Sequence, residues 1–352
     1  LGQKPKRRKV KLKKIAVIGA GSWGTAIANL LANKGYAVRL WTRDASVADA
    51  INITKRHPKY LTDVAINPAV KATYDLEDAA AGAEVVVMAT PSHVTRETLS
   101  QLSDGIRGET AVVSLAKGIE EHSLKRMSQV MRETLRPEMR NRVAVLSGPN
   151  HAEEVSRSIP SATVISSPSR SVAIKLQDIF MTPYFRVYTN PDLIGVEMGG
   201  AVKNVIAIAA GISDGLGFGD NTKASLLTRG LAEMIRLGTA MGAEARTFAG
   251  LAGIGDLVVT CMSQHSRNRR VGEMLGKGMN LTRIYDEMNM VAEGIRTASA
   301  VAALAEEYQI DMPITENVRN VLYLDKNALE CVSELMSRGA VEEMQGVEWE
   351  AD

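Results

Sequence analysis

Aromatic residues are scarce in this chain, only 4% of 352 residues. The interior must therefore rest on Ala, Val, Ile, Leu and 16 Met. Cysteine is scarcer still. Cys261 and Cys331 stand far apart in sequence, which excludes a disulfide scaffold and fits a reducing cytoplasm. The five His (57, 93, 122, 151, 265) show no ligand spacing, and none pairs with a Cys or a carboxylate as a zinc site would require. No metal site is expected. No apolar run is continuous enough for a membrane span. Residues 193–212 come nearest, but they hold Glu197, Lys203 and several glycines, which suits a buried helix better. Gly and Pro are spread out, so the chain is not of low complexity.

Charge is present in near balance, at a formal +2, and the balance hides an asymmetry. Residues 1–14 hold six Lys and two Arg and no acid. With those eight removed, 34 basic residues face 40 acidic ones, so residues 15–352 carry about −6. Nucleic-acid binding is not expected of that mildly acidic body. The basic arm could touch RNA, an anionic surface or nothing. It reads as a disordered solubilising leader, and it lacks the apolar stretch of a signal peptide.

Strand and helix signals alternate through the first half. Apolar runs predict strands at 14–18, 37–41, near Thr73, and at 84–89, 110–115, 143–146, 162–165 and 185–188. Helices are expected at 23–34, 75–81, 92–103, 121–134 and 168–181. From 190 the pattern turns helical. Asn190 is expected to cap a helix with Pro191 at its first position, running over 191–214. Further helices are expected at 222–241, 245–250, 256–262, 267–275, 281–286, 295–307, 314–323 and 327–336. The fold class is thus α/β, a Rossmann-like doubly wound sheet followed by an all-helical substrate domain. The expected divisions are a leader over 1–14, a dinucleotide-binding domain over 15–189 and a helical domain over 190–352. The active site belongs in the cleft between them, at the carboxyl ends of the strands.

The sharpest local signal is Ile15-Ala16-Val17-Ile18-Gly19-Ala20-Gly21-Ser22-Trp23-Gly24, a strand entering a glycine turn and then a helix. Gly19 permits the tight turn, Gly21 lets the backbone approach a diphosphate, and Gly24 lets helix and strand pack closely. Orphan amides at the helix start would hold the anion. The bland alternative is a Rossmann-like domain that binds no nucleotide.

Three other regions can carry chemistry. The apolar helix at 191–214 bears Glu197, Lys203 and Asn204, with Gly195, Gly199 and Gly200 where a neighbour or ligand must come close. Lys203 either snorkels to solvent or lines a site, and desolvation there would lower its pKa toward useful proton exchange. Lys117, and the Ser147-Gly148-Pro149-Asn150-His151-Ala152 run, follow strands on the ligand face, or are solvated loop and turn residues. Ser266-Arg267-Asn268-Arg269-Arg270 at a helix start reads as a phosphate clamp or as a solvated basic face. Just upstream, Asp256 opens another helix with Thr260 one turn on.

Taken in order, Gly19–Ala26, Ala116-Lys117-Gly118, Gly148-Pro149, Ala201-Val202-Lys203-Asn204, Gly255-Asp256-Leu257, Thr260-Cys261, Ser266–Arg269 and Val291-Ala292-Glu293-Gly294 resemble the bacterial type of NAD(P)-dependent glycerol-3-phosphate dehydrogenase. The resemblance runs along essentially the whole chain after the leader. It implies interconversion of dihydroxyacetone phosphate and sn-glycerol 3-phosphate, with NAD or NADP, in the cytoplasm and for phospholipid synthesis. It implies that Lys203 is the catalytic lysine. Ser22, Trp23, Arg43, Lys117, Ala152, Arg267, Val291 and Glu293 match cofactor positions. Lys117, Gly148, Asn150, Lys203, Asp256, Ser266, Arg267 and Asn268 match substrate positions, and Asn204 would help fix the carbonyl end. Asn150 departs from the family, which commonly has Ser or Thr there. The expected partner is a phosphorylated triose, with a homodimer as a possible assembly.

For the cofactor, Asp44 lies 20 residues beyond Gly24, a spacing suited to the ribose of NAD, while Arg43 suits a 2′-phosphate. The two cannot both face the ribose productively. Arg43 is expected to face the site and Asp44 to turn away, with NADPH used at least as well as NADH. Within enzymes the alternative is a β-hydroxyacid or sugar-acid dehydrogenase, which would need a carboxylate-binding group in place of the clamp. Outside enzymes it is a nucleotide-bound sensor or scaffold.

Overall fold

The computed structural model describes residues 13–103, 105–106, 109–288, 292–340 and 342–343. Most of the expected leader, and Val291, lie outside the described residues. Lys14, at the leader's end, is already the first residue of β1 and its ammonium donates to the carbonyls of Asp78 (3.1 Å) and Ala81 (2.6 Å).

Eight strands form one sheet in the order β3-β2-β1-β4-β5-β6-β7-β8. They are β1 (Lys14–Ile18), β2 (Ala37–Trp41), β3 (Val70–Thr73), β4 (Val85–Met88), β5 (Ala111–Ser114), β6 (Val143–Ser147), β7 (Ser161–Ser166) and β8 (Phe185–Asn190). β4, β5 and β6 are buried along their entire length, as strands covered on both faces must be. Helices α1 (Ser22–Asn33), α2 (Ala45–Thr54), α3 (Leu76–Ala80), α4 (Ser92–Leu102), α5 (Met127–Thr134), α6 (Ala152–Val155) and α7 (Arg170–Phe180) connect them.

The pairing departs from a wholly parallel sheet at one place. β7 runs antiparallel to β6, while every other pair is parallel. The β6–β7 connection carries only the one-turn α6, so the chain turns back beside β6 instead of crossing over a face. The reversal matters for the site. It lays the start of β7 against the loop that leaves β6, where Thr163 Oγ1 donates to the Ser147 carbonyl (3.0 Å).

Beyond β8 the described chain is helical: α8 (Leu193–Gly215), α9 (Asp220–Ala240), α10 (Asp256–Met262), α11 (Arg267–Gly276), α12 (Leu281–Glu287), α13 (Glu293–Glu307), α14 (Pro313–Tyr323) and α15 (Ala328–Met336). A 3-10 turn at Ala245–Ala249 and a π-turn at Leu251–Gly255 precede α10, replacing the helix expected at 245–250. Asn190 ends β8 rather than capping α8. The cap is Asp192, whose carboxylate accepts from the Gly195 amide (2.8 Å). The helix expected from 121 begins only at Met127, because Leu124 takes φ +55° and Ile119 bridges Arg126. α2 went unpredicted. It is capped by Asp44, which accepts from the Ser46 amide (2.9 Å).

α8 is long and apolar enough to cross a membrane, but 78% of that stretch is buried inside the fold. It is the spine of the helical half. Glu197 on it is buried and accepts from Arg126 and from the amide and hydroxyl of Ser128, tying α8 to α5. α11 lies against α8 so closely that the backbones touch. A Cβ on Gly211 would collide with the Arg269 carbonyl, and one on Gly272 with the Ile208 carbonyl. Gly215 and Gly276 continue the contact one turn further on. Gly199 likewise admits the Ala252 carbonyl of the π-turn.

Candidate active site

The glycine turn alternates between tight and open. Gly19 has φ +119°, and a Cβ there would sit 2.7 Å from the Ala89 carbonyl oxygen. A Cβ on Gly24 would collide with the Gly19 carbonyl. Between them, a Cβ on Gly21 would meet nothing within 4 Å. Gly21 is also the N-cap of α1 and brings no side-chain cap. The first amides of α1, on Ser22 and Trp23, thus have no side-chain cap, with open space beside Gly21, and this fits the diphosphate of a dinucleotide. Arg43 is exposed just past β2. The Asp44 carboxylate is engaged by the Ser46 amide and hydroxyl (2.9 and 2.7 Å), so it serves α2.

A second centre is built from side chains. Lys203, from the middle of α8, is 5% exposed and Asp256, from the first turn of α10, is 1% exposed. The Lys203 ammonium donates to Asp256 Oδ1 (2.6 Å) and to Thr260 Oγ1 (2.6 Å). Lys117, from the loop after β5, donates to Asp256 Oδ2 (2.7 Å) and to the Gly148 carbonyl (2.8 Å). One carboxylate thus holds two ammonium groups, and the buried cluster carries a net positive charge. Burial drives the Lys203 pKa down, to about 8, with Lys117 adding to the fall and Asp256 opposing it. Burial pushes the Asp256 carboxyl up, but Lys117 and Lys203 together outweigh it and hold it below its ordinary value.

Glycine makes this convergence possible. At Gly200, one turn before Lys203, a Cβ would lie 2.6 Å from Ser147 Oγ and 3.5 Å from Lys117 Cγ. Gly148 takes φ +151° as β6 gives way to the loop, and this leaves its carbonyl to Lys117.

An amide chain links the centre to α11. Asn204 Nδ2 donates to the Lys117 carbonyl (2.9 Å), and Asn204 Oδ1 accepts from Asn268 Nδ2 (2.9 Å). Asn268 Oδ1 in turn accepts from the Gly294 amide (2.9 Å). Both asparagine side chains are thereby committed to protein partners and fix the loop that carries Lys117. Ser266 Oγ caps α11 by accepting from the Arg269 amide (3.2 Å), and Arg267 stands exposed in the first turn. Glu293 accepts from the amides of Ser92 (3.2 Å) and Lys117 (3.3 Å), bridging α13 to the start of α4 and to the loop after β5.

The structure brings Lys117, Gly148, Lys203, Asn204, Asp256 and Asn268 into one bonded network. Ala152 is buried at the start of α6 on the same loop as Asn150. Of the three arginines in the expected clamp, Arg269 turns away, pairing with Asp214 at 2.7 Å. Thr260 stands nearer the chemistry than its sequence suggested, since it holds Lys203 directly. Its spacing of one helical turn from Asp256 was the available signal.

Two family models match the chain. The N-terminal part of NAD-dependent glycerol-3-phosphate dehydrogenase covers residues 14–173, and its C-terminal part covers 192–333. A glycerol-3-phosphate dehydrogenase [NAD(P)+] from Moorella thermoacetica is 51% identical, over 95% of this chain and 99% of its own. The crystal structure of a glycerol-3-phosphate dehydrogenase from Coxiella burnetii superposes with a TM-score of 0.88 at 37% identity, covering 93% of this chain and 99% of that one. A ketopantoate reductase from Ralstonia eutropha, at 17% identity and TM-score 0.59, shares the fold.

Proposed function

The chain belongs to the NAD-dependent glycerol-3-phosphate dehydrogenase family, and from that premise we propose how its buried centre works. The protein is an NAD(P)-dependent oxidoreductase that interconverts dihydroxyacetone phosphate and sn-glycerol 3-phosphate. The observation that carries the mechanism is the pair of ammonium groups on one carboxylate. An ammonium has three N–H donors. Two of those on Lys203 are engaged by Asp256 and Thr260, and the third is left for the substrate carbonyl oxygen. When bound, the nicotinamide supplies the hydride. Lys203 stabilises the charge that develops on the oxygen and gives it a proton. Asp256 holds the ammonium in place, and Lys117 adds a second positive charge beside the reacting carbon.

The remaining roles are part of the same reading. Gly19, Gly21, Ser22, Trp23 and Gly24 cradle the diphosphate. Arg43 faces the adenosine ribose, so NADPH serves at least as well as NADH. Ala152, Arg267, Val291 and Glu293 complete the cofactor side. Ser266 and Arg267, with the amides that open α11, receive the substrate phosphate. Gly148 and Asn150 border the substrate, while Asn204 and Asn268 act through the Lys117 loop. Residues 15–189 form the cofactor domain and 190–352 the substrate domain, and closure of the cleft excludes water. The enzyme works in the cytoplasm as a homodimer and supplies glycerol phosphate for phospholipid synthesis.

Loss of NAD(P)H absorbance on mixing with dihydroxyacetone phosphate tests the reading. Turnover of a β-keto acid in its place would move the protein to the related hydroxyacid dehydrogenases, and turnover of neither would favour a sensor.

A further inference from the structure

One buried histidine has no part in the chemistry above. His57, just past the end of α2, is 2% exposed, and its ring reaches the glycine turn that opens α1. Three hydrogen bonds hold the ring. The amides of Lys59 and Tyr60 both donate to Nδ1 (3.0 Å each), and Nε2 lies 2.8 Å from the Ala20 carbonyl oxygen. Backbone amides can only donate, so Nδ1 must present its lone pair to them. Nε2 therefore carries the proton of a neutral ring and donates it to Ala20. Burial lowers the pKa of the ring and Lys59 adds to the fall, against the bond to Ala20, which opposes them. Tyr60 packs on the ring at 5.0 Å between centroids.

The bond to Ala20 falls where the turn is otherwise untied. On one side the Gly19 amide is anchored to the Trp41 carbonyl (3.0 Å), and on the other the Gly21 carbonyl receives the Thr25 amide (2.9 Å). Between them lies the peptide that joins Ala20 to Gly21, flanked by glycines whose backbone turns freely. That peptide is trans, so its carbonyl and its N–H point opposite ways. Drawing the Ala20 oxygen to His57 turns the Gly21 N–H to the other side. It also keeps a carbonyl oxygen, the negative end of a dipole, from facing an anion.

We propose that His57 is a positioning residue for the dinucleotide: by holding the Ala20 carbonyl it aims the Gly21 peptide at the diphosphate. This rests on the glycine turn being the diphosphate cradle. The device comes from outside the turn, since His57 stands 36 residues beyond Gly21. His57 also stands outside the network of Lys117, Lys203 and Asp256, so its effect falls on cofactor affinity and not on ketone reduction.

Two amide side chains separate the two ends of the ring. In His57→Asn the side-chain oxygen stands where Nδ1 was, and nothing reaches Ala20. Asn327 holds such a pair of amides in this fold, accepting from Leu329 (2.8 Å) and Glu330 (3.3 Å). In His57→Gln the side-chain nitrogen stands where Nε2 was and can donate to Ala20 again. Fluorescence titration with NADPH should give a dissociation constant about tenfold higher for His57→Asn than for the wild type. His57→Gln should recover most of that loss. At saturating NADPH, kcat and the KM for dihydroxyacetone phosphate should stay within about twofold of wild type in both. A folded His57→Gln that binds NADPH as weakly as His57→Asn, or about tenfold more weakly than the wild type, would overturn the proposal. So would a fall in kcat as large as the fall in affinity, which would make His57 a residue of the fold alone. Gly21→Val separates this inference from the reading beneath it. If that variant loses affinity and His57→Asn does not, the inference fails and the cradle stands. If neither loses affinity, the cradle fails and the inference with it.

Discussion

The two halves of the proposed site are built by opposite means. At the start of α1 the sheet half offers backbone, with side chains removed so that amides are bare and Gly21 opens onto free space. At the middle of α8 the helical half offers buried charge, Lys203 on Asp256, and the half-buried Lys117 from the loop after β5 joins the same carboxylate. The first arrangement is local, three glycines within six residues. The second draws on Lys117, Lys203 and Asp256, the outer two separated by 139 positions. A binding surface made of missing side chains can be written into one short segment, but a charged centre needs the whole fold to assemble it.

The contrast is broken most severely at Lys203. Lys203→Ala should lower kcat by about a hundredfold or more while leaving the dissociation constant for NAD(P)H, measured by fluorescence titration, close to that of the wild type. A folded variant with near-normal kcat would remove Lys203 from the chemistry. The converse substitution is Gly21→Val. Its side chain enters open space, so thermal stability should hardly change, while NAD(P)H affinity should fall about tenfold or more. Equal affinity in the variant would mean that the diphosphate does not approach Gly21.

Asp256→Asn sharpens the electrostatic side. In the proposed mechanism ketone reduction needs Lys203 as ammonium, so activity is lost as pH rises through its pKa, which burial lowers to about 8. The Asp256 carboxylate raises that pKa, and removing it must lower it further. The basic limb of the kcat/KM–pH profile should therefore move to lower pH. A limb that stays in place would assign the titration to another group. The smallest effect is expected at Arg43, which is exposed. Arg43→Ala should reduce the preference for NADPH over NADH by about tenfold or less, leaving the NADH constants nearly unchanged. An equal effect on both cofactors would place a different residue at the ribose.

Legibility in the sequence follows the same division. The strands were readable because buried parallel strands are continuous apolar runs, as Val85–Met88 shows. The glycine turn was readable because its physics is contained in consecutive residues. Helix starts were less so. Asn190 and Asp192 are both good caps, and only the extension of β8 to Asn190 decides between them. The late start of α5 depends on a left-handed Leu124, which no side-chain pattern announces. At the charged centre, position on an apolar helix suggested that Lys203 was unusual, but that Asp256 and Thr260 both hold its ammonium depends on how α10 packs against α8. That Arg269 serves Asp214 while Arg267, two residues before it, is exposed depends on helical phase and packing, which a run of basic residues does not reveal.

The contact of α8 with α11 has a mechanical meaning. Lys203 rides on one helix and the amides proposed to receive the substrate phosphate open the other, and Gly211 and Gly272 let the two backbones rest directly on each other's carbonyls. The pair behaves as a caliper closed on its stop. Its jaw opening is set by main chain on main chain, with no flexible side chain between them to give. On the proposed assignment of the two ends, a caliper of that kind measures the length of the molecule held in it, from carbonyl oxygen to phosphate. A single methyl group at the stop would reset the gauge without touching either jaw.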